Sequence, residues 1–578
     1  MATVGSSPRH DQEESGKEGK DHVIGNAMIV ESNRVDHQNP VNDRRCSRFL
    51  RRPAVVLAIS LLFVLIVSLS ISLPLVLLKK KRGEEFTVSN ACKSTRFPDV
   101  CLSSLARSQI AKSGPRELLE ETTRAAIQGV EEMLNLTAQF MSDDHHHHSV
   151  RAKAAFDDCS ELLGSAIAEL QASLEEFVQG RYESEIADIQ TWMSAALTFH
   201  DTCMDELDEV SGDPEVKRLR AAGQRVQKLI SNALALVNPM VAAWRASLAA
   251  RGQRGSAPPA LVAAGRGLVN GAHVVDAVVA QDGSGQFGRI QDAINAAPRM
   301  SARRYVIHIK AGVYREYVTV RSFHTNLMFV GDGQGRTIIT GNKNVMQPGI
   351  TTRTSATVVI EGKNFMAREL TIENTSGPQA QQAVALRVGA DQAAFYRCSI
   401  HGNQDTLLAH VFRQFYRECT VTGTVDFVFG NAAAVFQNCS FESKVPVHGQ
   451  QTVVSAQGRS DPAQNTGFSF HMCRVGGAFP VYLGRPWKEF ARVVWLRSQM
   501  EAMVQPRGWL SWEGGSFGLQ TSYFAEYKNW GPGSSMRDRV KWVKVLNGPR
   551  LARKFTPSSF IAAQSWLPKT SFIFDSKL

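Results

Sequence analysis

The hydrophobic pattern divides the 578-residue chain into regions of different character. Residues 1–52 are polar and have no periodic apolar positions, which predicts a disordered tail. The next region, Ala54–Leu78, contains 25 residues without a charge. As a helix it would be about 37 Å long, and the hydrocarbon core of a bilayer is about 30 Å thick. Residues 53–78 are therefore predicted to be a transmembrane signal anchor, with a cleaved signal peptide as the alternative.

The charges and cysteines around this segment predict its orientation. Basic residues flank it on both sides, with a slight bias that favours a cytoplasmic N-terminus. Eight of the nine cysteines follow it and only Cys46 precedes it, which fits an oxidising compartment for the rest of the chain. Three sequons also follow it and predict glycans at Asn135, Asn374 and Asn438. The bulk of the chain is therefore expected to be lumenal or extracellular.

A helical region follows the predicted anchor. Within residues 84–248, apolar residues recur at helical spacing, for example in Ala154–Val178 and Ile186–Leu207, and this pattern predicts an all-α four-helix bundle. The run His145–His148 is interpreted as part of a solvated loop, with a metal site as the alternative. Residues 249–271 are rich in Gly, Ala, Arg and Pro and are predicted to be a linker.

The last region, residues 272–578, has a β pattern that repeats. An aromatic–polar–cysteine–apolar unit recurs every 20 or 21 residues, at Phe395–Ile400, Phe415–Val421 and Val435–Phe441. A repeat of this length indicates a solenoid, and short β-branched strands broken by glycines favour a parallel β-helix with one coil per repeat. A leucine-rich solenoid has a similar period, but its leucine pattern is missing here.

Composition and charge narrow the classes of function. The chain is 43% hydrophobic and 21% charged, which is a globular balance. Its formal net charge of +11 predicts attraction to polyanions, which include nucleic acid, anionic lipid and acidic polysaccharide. Because most of the chain is expected outside the cytoplasm, nucleic acid is not an expected partner.

Stacking in a β-helix turns sequence spacing into geometry. Residues one repeat apart lie on neighbouring coils, about 4.8 Å apart. Cys398 and Cys419 are 21 residues apart and thus within reach of a disulfide, and Asp405 and Asp426 have the same spacing. Two carboxylates about 5 Å apart titrate at different pH values, so one can act as a nucleophile while the other donates a proton. The alternative is that both are turn aspartates.

Other side chains extend this candidate site. Gln382 lies 22 residues before Gln404 and adds an amide on the next coil. The apolar Phe427–Phe429 follows the second aspartate, and a partly dry carboxylate needs a cationic partner to stay ionised. Arg485 is a candidate for this partner, and Trp487 offers a flat face for a sugar ring. Alternatively, the two form a surface cation–π pair.

Ordered motifs over roughly residues 272–578 resemble those of the plant pectin methylesterases. They are Ala311–Glu316, Gln382–Leu386, Gln404–Leu407, Asp426–Ala432 and Leu483–Lys488. The helical region resembles the inhibitor domain that many such enzymes carry as a pro-region. The resemblance implies a right-handed parallel β-helix for the enzyme, and disulfides among the four cysteines of the helical region, which are Cys92, Cys101, Cys159 and Cys203.

The resemblance also implies a mechanism for hydrolysing galacturonosyl methyl esters. Asp426 would be the nucleophile, Asp405 the proton donor and acid/base, and Gln382 and Gln404 would hold the oxyanion. Arg485 would orient Asp426 and keep it ionised. The residues expected to contact substrate are Thr352, Gln382, Arg485 and Trp487. No metal or organic cofactor is expected.

Three positions depart from the family's pattern. Asn403 and Leu408 stand where the family usually has aromatic residues on either side of the Gln-Asp pair, and Arg353 stands where an aromatic residue is common. The processing motif between pro-region and enzyme is not clear either, with Arg251–Arg254 and Gly265–Leu268 as candidates. The departures predict unusual contacts in the substrate groove.

These observations leave three functions open. The first is an esterase acting as a monomer on methyl-esterified pectin, on the secretory route to the cell wall and anchored to the membrane through residues 53–78 before any processing. The second is a glycosidase or lyase that cleaves the polysaccharide chain, although inverting hydrolysis requires carboxyls about 6.5 to 9.5 Å apart. The third is a non-catalytic or inhibitory protein that binds polyanions.

Overall fold

The computed structural model describes residues 87–106, 114–142, 149–181, 185–210, 212, 214–250 and 274–578. The predicted tail 1–52, the predicted anchor 53–78, the histidine run 145–148 and nearly all of the predicted linker lie outside these ranges. None of the helices within them is long and apolar enough to cross a membrane.

The N-terminal domain consists of helices, two of them short and four long. They are α1 Val88–Lys93, α2 Pro98–Leu105, α3 Pro115–Ser142, α4 Val150–Val178, α5 Ile186–Asp208 and α6 Pro214–Ala250. The prediction of a helical domain is confirmed. A count of four helices is too low, because the segment before Pro115 also folds into helix.

The spacing of apolar residues explains how the long helices pack. Leu163, Ala166 and Leu170 lie on one face of α4 and are fully buried in the core of the domain. Ser149 begins this helix, and its hydroxyl accepts a hydrogen bond from the Ala152 amide at 3.1 Å. The apolar periodicity and the Ser149 cap therefore both account for the position of α4.

Two disulfides stabilise the helical domain. One joins Cys92 to Cys101, and the other joins Cys159 on α4 to Cys203 on α5. The second disulfide closes a separation of 44 residues, and in the chain-entropy picture such a loop contributes about 4 kcal/mol. The disulfides that the resemblance implies for these four cysteines are confirmed.

Strands stacked in parallel form the C-terminal domain. They are β1 Ala277–Val279, β2 Tyr305–Ile309, β3 Gly312–Arg315, β4 Val318–Val320, β5 Leu327–Gly331, β6 Thr337–Gly341, β7 Val358–Ile360, β8 Met366–Arg368, β9 Thr371–Asn374, β10 Leu386–Val388, β11 Ala393–Tyr396, β12 Ser399–His401, β13 Leu407–Ala409, β14 Arg413–Arg417, β15 Thr420–Gly423, β16 Val428–Gly430, β17 Ala433–Gln437, β18 Ser440–Ser443, β19 Thr452–Val453, β20 Ser455–Gln457, β21 Gly467–His471, β22 Arg474–Gly477, β23 Val481–Tyr482, β24 Arg485–Pro486, β25 Arg492–Leu496, β26 Gln499–Met500, β27 Tyr523–Tyr527 and β28 Lys544–Val545.

These strands form three long sheets that run along the solenoid. The first sheet has the order β1-β2-β5-β8-β11-β14-β17-β21-β25-β27-β28, the second β24-β20-β16-β13-β10-β7-β4, and the third β26-β22-β18-β15-β12-β9-β6-β3, while β19 pairs with β23. Short helices pack around them: α7 Ile290–Asn295, α8 Pro549–Ala552, α9 Pro557–Phe560 and α10 Ala563–Trp566. The predicted parallel β-helix is confirmed.

Register keeps equivalent residues of successive coils in contact. In the first sheet Phe395 pairs with Tyr416 and Tyr416 with Phe436, which are the predicted repeats of 21 and 20 residues. Their rings stack with centroids 5.0 and 4.7 Å apart. The stack continues through Phe470 to Trp495 at 5.0 and 4.1 Å. This aromatic column fills the core of the solenoid.

The cysteines of the repeat form a second column, and here one prediction is wrong. Cys398, Cys419, Cys439 and Cys473 are all buried free thiols, so Cys398 and Cys419 do not form the expected disulfide. In-register parallel strands project their side chains side by side, which keeps Cβ atoms about 4.8 Å apart, beyond the 3.5–4.5 Å that a disulfide prefers. The thiols donate hydrogen bonds to backbone carbonyl groups instead. For example, Cys419 Sγ lies 3.3 Å from the Arg417 carbonyl oxygen.

The predicted glycosylation sites differ in accessibility. Asn135 on α3 and Asn438 in a turn after β17 are exposed and remain predictions. Asn374 is buried, and its amide nitrogen donates hydrogen bonds to the carbonyls of Lys343 at 2.8 Å and Val384 at 3.1 Å. The prediction of a glycan on Asn374 is wrong, because this side chain is an internal part of the solenoid.

The helical domain and the β-helix share one compact unit, Glu85–Leu578. The core of the helical domain continues into Val411 and Phe412 of the β-helix. The rings of Phe199 on α5 and Phe412 lie 5.9 Å apart at a steep angle. Helix α5 therefore packs directly on the loop that follows β13.

We predict that the four β-helix cysteines remain thiols in the folded protein. Alkylation without reductant should label Cys398, Cys419, Cys439 and Cys473 after unfolding but not in the native protein, since folding buries them. Peptide mapping by mass spectrometry gives the readout, with the disulfide-bonded Cys159 and Cys203 as unlabelled controls. A peptide containing Cys398 linked to Cys419 would contradict this prediction.

Candidate active site

The register of the second sheet brings the two predicted aspartates together. Leu386, Leu407 and Val428 pair in register on β10, β13 and β16. Asp405 and Asp426 stand just before β13 and β16, and the Asp405 amide donates to the Val425 carbonyl at 3.0 Å. The predicted stacking of the two aspartates on adjacent coils is therefore confirmed.

The backbone at both aspartates is left-handed. Asp405 has φ +62° and Asp426 has φ +50°. Such values are uncommon outside glycine, although Asp tolerates them better than most residues. Only 8% of Asp405 and 5% of Asp426 is exposed, so each carboxyl is held in a nearly dry position at a sharp corner.

Arg485 is the cationic partner of Asp426. Its Nε lies 2.9 and 3.1 Å from the two carboxylate oxygens of Asp426, and its Nη2 lies 2.5 Å from Oδ2. The guanidinium also stacks 4.4 Å from the centroid of the Trp512 ring. The ion pair expected from the sequence is confirmed, whereas no spacing or motif in the sequence analysis singles out Trp512.

Burial and charge separate the titration of the two carboxyls. Burial raises the pKa of Asp405 well above its usual value, and the neighbouring Asp426 carboxylate raises it further. Burial also raises the pKa of Asp426, but the Arg485 guanidinium acts in the opposite direction. Asp405, whose pKa is raised well above its usual value, is thus the carboxyl that keeps its proton to higher pH, while Arg485 favours the anionic form of Asp426.

Two amides lie beside the aspartates. Gln382 and Gln404 pair across neighbouring coils and line the same cavity as the carboxyls. Within the described ranges, no protein group is hydrogen-bonded to their side-chain amides. Their N–H groups are therefore available to an oxygen atom bound in the cavity.

Apolar side chains form the floor of the groove. Leu408, Phe429 and Ala456 form a cluster against which Trp487 packs, with its ring 6.1 Å from that of Phe429. Thr352 also lines the cavity, so all the predicted substrate-contacting residues are brought together. This floor can support the flat face of a bound ring, while the polar groups lie at its edge.

The helical domain forms the other wall of this cavity. Near the end of α5, five polar residues face the two aspartates across a space of about 560 Å³: Thr202, Asp205, Glu206, Asp208 and Glu209. The sequence analysis missed them, although the acidic run from Asp201 to Glu209 is a visible signal for contact with a basic surface. In this structure the groove is covered.

Comparison with protein families assigns both domains. Residues 276–564 match the family described as Pectinesterase, and residues 87–236 match the family described as Plant invertase/pectin methylesterase inhibitor. These ranges agree with the observed β-helix and helical domain.

Individual proteins show the same relationship. The chain is 40% identical over 524 residues to Pectinesterase 1 of Citrus sinensis, covering 84% of this chain and 88% of that protein. It is 39% identical over 517 residues to Pectinesterase/pectinesterase inhibitor U1 of Solanum lycopersicum, again covering 84% and 88%. The structure of a pectin methylesterase from carrot matches with a TM-score of 0.52 and 48% identity, covering 54% of this chain and all of that one.

A catalytic β-helix joined to an inhibitor-type helical domain is thus supported by the fold, the site and the sequence relationships together. The chain belongs to the pectinesterase family of carboxylic ester hydrolases, as a pectin methylesterase with an N-terminal inhibitor-like domain.

Proposed function

We propose that Asp426 is the nucleophile that attacks the methyl ester carbonyl of a galacturonosyl residue and forms an acyl-enzyme. The observation that carries this proposal is the ion pair with Arg485, which favours the anionic form of a buried carboxyl and fixes its rotamer. The corner at φ +50° holds the carboxyl in the groove. Gln382 and Gln404 donate their amide N–H groups to the oxyanion that develops.

Asp405 acts as the proton donor in the same step. Burial and the neighbouring Asp426 carboxylate raise its pKa, which favours the protonated form that can donate a proton to the departing methanol. The resulting carboxylate then accepts a proton from the water that hydrolyses the acyl-enzyme. Each carboxyl returns to its starting state, and no further group is required.

Chain cleavage is a less suitable function for this geometry. Aspartates on adjacent coils are separated by about one coil spacing of 4.8 Å, and inverting glycosidases require about 6.5 to 9.5 Å between carboxyls. The two free amides beside the aspartates also suit a tetrahedral oxyanion better than a sugar cation.

The helical domain is proposed to inhibit the enzyme until it is removed. Support comes from the direct contacts that α5 makes around the groove. Thr202 Oγ1 lies 2.8 Å from His410 Nε2, Asp205 forms an ion pair with Lys488, and Asn431 donates to Thr198 at 2.8 Å. A polymer cannot enter a groove that is already occupied by a packed helix.

The proposed place of action is the cell wall. Pectinesterase relatives in plants support this destination. The membrane anchor at residues 53–78, glycans on Asn135 and Asn438, processing within residues 249–271 and a monomeric state remain proposals. They agree with a protein that travels through the secretory pathway before its domains separate.

Replacing the nucleophile tests the mechanism. In enzyme cut between the domains and freed from the helical domain, Asp426→Ala should lower methanol release from methyl-esterified polygalacturonan by at least about 10⁴-fold, because the acyl-enzyme cannot form. Methanol and new reducing ends should be followed together. Asp332→Asn, in the same β-helix but outside the groove, is a matched control that should keep full activity. New chain ends from the unaltered protein would identify a depolymerase instead.

Separating the domains tests inhibition. A site-specific protease sequence inserted within residues 251–273 allows the full chain to be cut after purification. Methanol release should rise at least about tenfold after cutting and separation, since the groove opens to polymer. Equal rates before and after separation would show that the helical domain does not block the site.

Domain association should weaken as the pH rises. Burial raises the pKa of Glu206 to about 8, helped by Asp158, and raises that of Glu169 to about 8, helped by Asp391. The associated form therefore binds protons that the separated form releases, so association is strongest below the ordinary carboxyl pKa and is lost as the pH rises towards 8.

The dissociation constant of the cut domains should increase at least about tenfold between pH 5 and pH 8, measured by titration of one domain with the other. The double variant Glu169→Gln, Glu206→Gln should flatten this dependence, because neither group can then release a proton. Tighter association at pH 8 than at pH 5 would be the opposite of the expected result.

A further inference from the structure

A cationic position lies on the groove beside the proposed substrate-contacting Thr352. Arg353 begins the short 3-10 turn before β7 and lines both the catalytic cavity and a second cavity of about 320 Å³ between the two domains. Its coil lies three coils from that of Asp426, which is about 14 Å along the solenoid. Arg353 is thus far from the reacting ester but on the same groove.

The direct partners of Arg353 belong to the helical domain. Its Nε donates to Asp158 at 3.1 Å, its Nη2 lies 2.9 Å from the same carboxylate, and it also binds Glu161. Asp158 additionally accepts a hydrogen bond from Thr351 Oγ1 at 2.6 Å. Two carboxylates on one face of α4 therefore occupy this part of the groove.

The β-helix itself offers few acidic partners for the positive charge of Arg353. Glu361 is the nearest acidic group of the β-helix that acts on Arg353, and it is already paired with Arg387 at 2.9 Å. The Arg387 Nε is buried in the same second cavity and has no hydrogen-bond partner among the described residues. When the helical domain leaves, Arg353 loses both partners and Arg387 has an unused donor facing the space they leave.

We propose that Arg353 and Arg387 form a subsite for the free carboxylate of a galacturonate unit, and that Asp158 and Glu161 occupy it in the uncut protein in place of the substrate. This inference rests on the proposed function and specifies its substrate. The subsite binds a sugar that has already lost its methyl ester, while an esterified unit further along the same chain lies at Asp426.

A charged contact at this position depends on the state of the substrate carboxyl. An aromatic ring would stack on a sugar whether or not its carboxyl is esterified. A guanidinium binds a carboxylate through a charge-assisted hydrogen bond and gains much less from a neutral methyl ester. Arg353 therefore gives the groove a contact that depends on whether the sugar has lost its methyl ester.

The test compares two polymers on enzyme freed from the full chain by the inserted protease site. For Arg353→Gln, kcat/KM for methanol release should fall about tenfold on partly de-esterified polygalacturonan, through KM, and change little on the fully methyl-esterified polymer. Arg353→Lys should retain most of the preference, and Arg353→Phe should lose it. Lys541→Gln, which removes an exposed cation outside the groove, is the matched control and should change neither value.

Equal losses on both polymers would overturn the subsite and indicate a structural role for Arg353, and unchanged values on both would overturn it as well.

A binding measurement separates failure of the subsite from failure of the esterase mechanism. Freed Asp426→Asn protein should bind de-esterified oligogalacturonate about tenfold more weakly when Arg353→Gln is added. Equal binding by the two proteins would reject the subsite whatever the methanol assays show.

Discussion

In-register parallel stacking of one coil on the next is the constraint on which this structure depends. Every hydrogen bond between coils places a residue directly beside its equivalent one repeat away. Aromatic residues thereby form a continuous column, from Phe395 to Trp495, and the carboxyls of Asp405 and Asp426 are forced to be neighbours. The fold brings like charges together at a cost that burial increases, and the guanidinium of Arg485 offsets part of that cost.

The same stacking tolerates long excursions from the coil. The interval from Ala434 to Phe468 is much longer than one repeat, yet these two residues pair in register on β17 and β21. The extra residues leave the solenoid on the groove side and carry Asp461 and Gln464, which bind the helical domain through Ser231 and Thr198. Strand pairing therefore sets the catalytic geometry, while the loops between strands are free to recognise the partner domain.

The sequence was sufficient for the repeat, the stacked aspartates and the arginine that pairs with one of them, because spacing in a solenoid is equivalent to distance. Spacing alone could not distinguish a thiol column from a disulfide, since both place Cys398 beside Cys419 and only the distance between their Cβ atoms decides. The sequence could not reveal the burial of Asn374 either, because a sequon has the same three-residue pattern in a buried strand as on the surface. The cover formed by α5 depends on docking between domains, which local patterns do not encode.

Carboxylates of the helical domain and carboxylates of the polymer can interact with the same cations of the groove. The surface of α4 and α5 that faces the groove carries carboxylates. They form ion pairs with Arg353 and Lys488 of the groove. A polyuronate presents the same chemical group at regular intervals. The helical domain therefore competes for cations that a de-esterified chain would also bind, and salt weakens both associations.

The column of thiols has a consequence for biogenesis. On the proposed route through the secretory pathway, four cysteines that end as buried thiols pass through an oxidising compartment in which the cysteines of the helical domain become paired. Parallel strands far apart in sequence assemble slowly, whereas thiolates in an open chain are exposed to exchange. Coil formation thus competes kinetically with oxidation of the thiols. More oxidant, or a variant that folds more slowly, would trap the chain with non-native disulfides before the solenoid is complete.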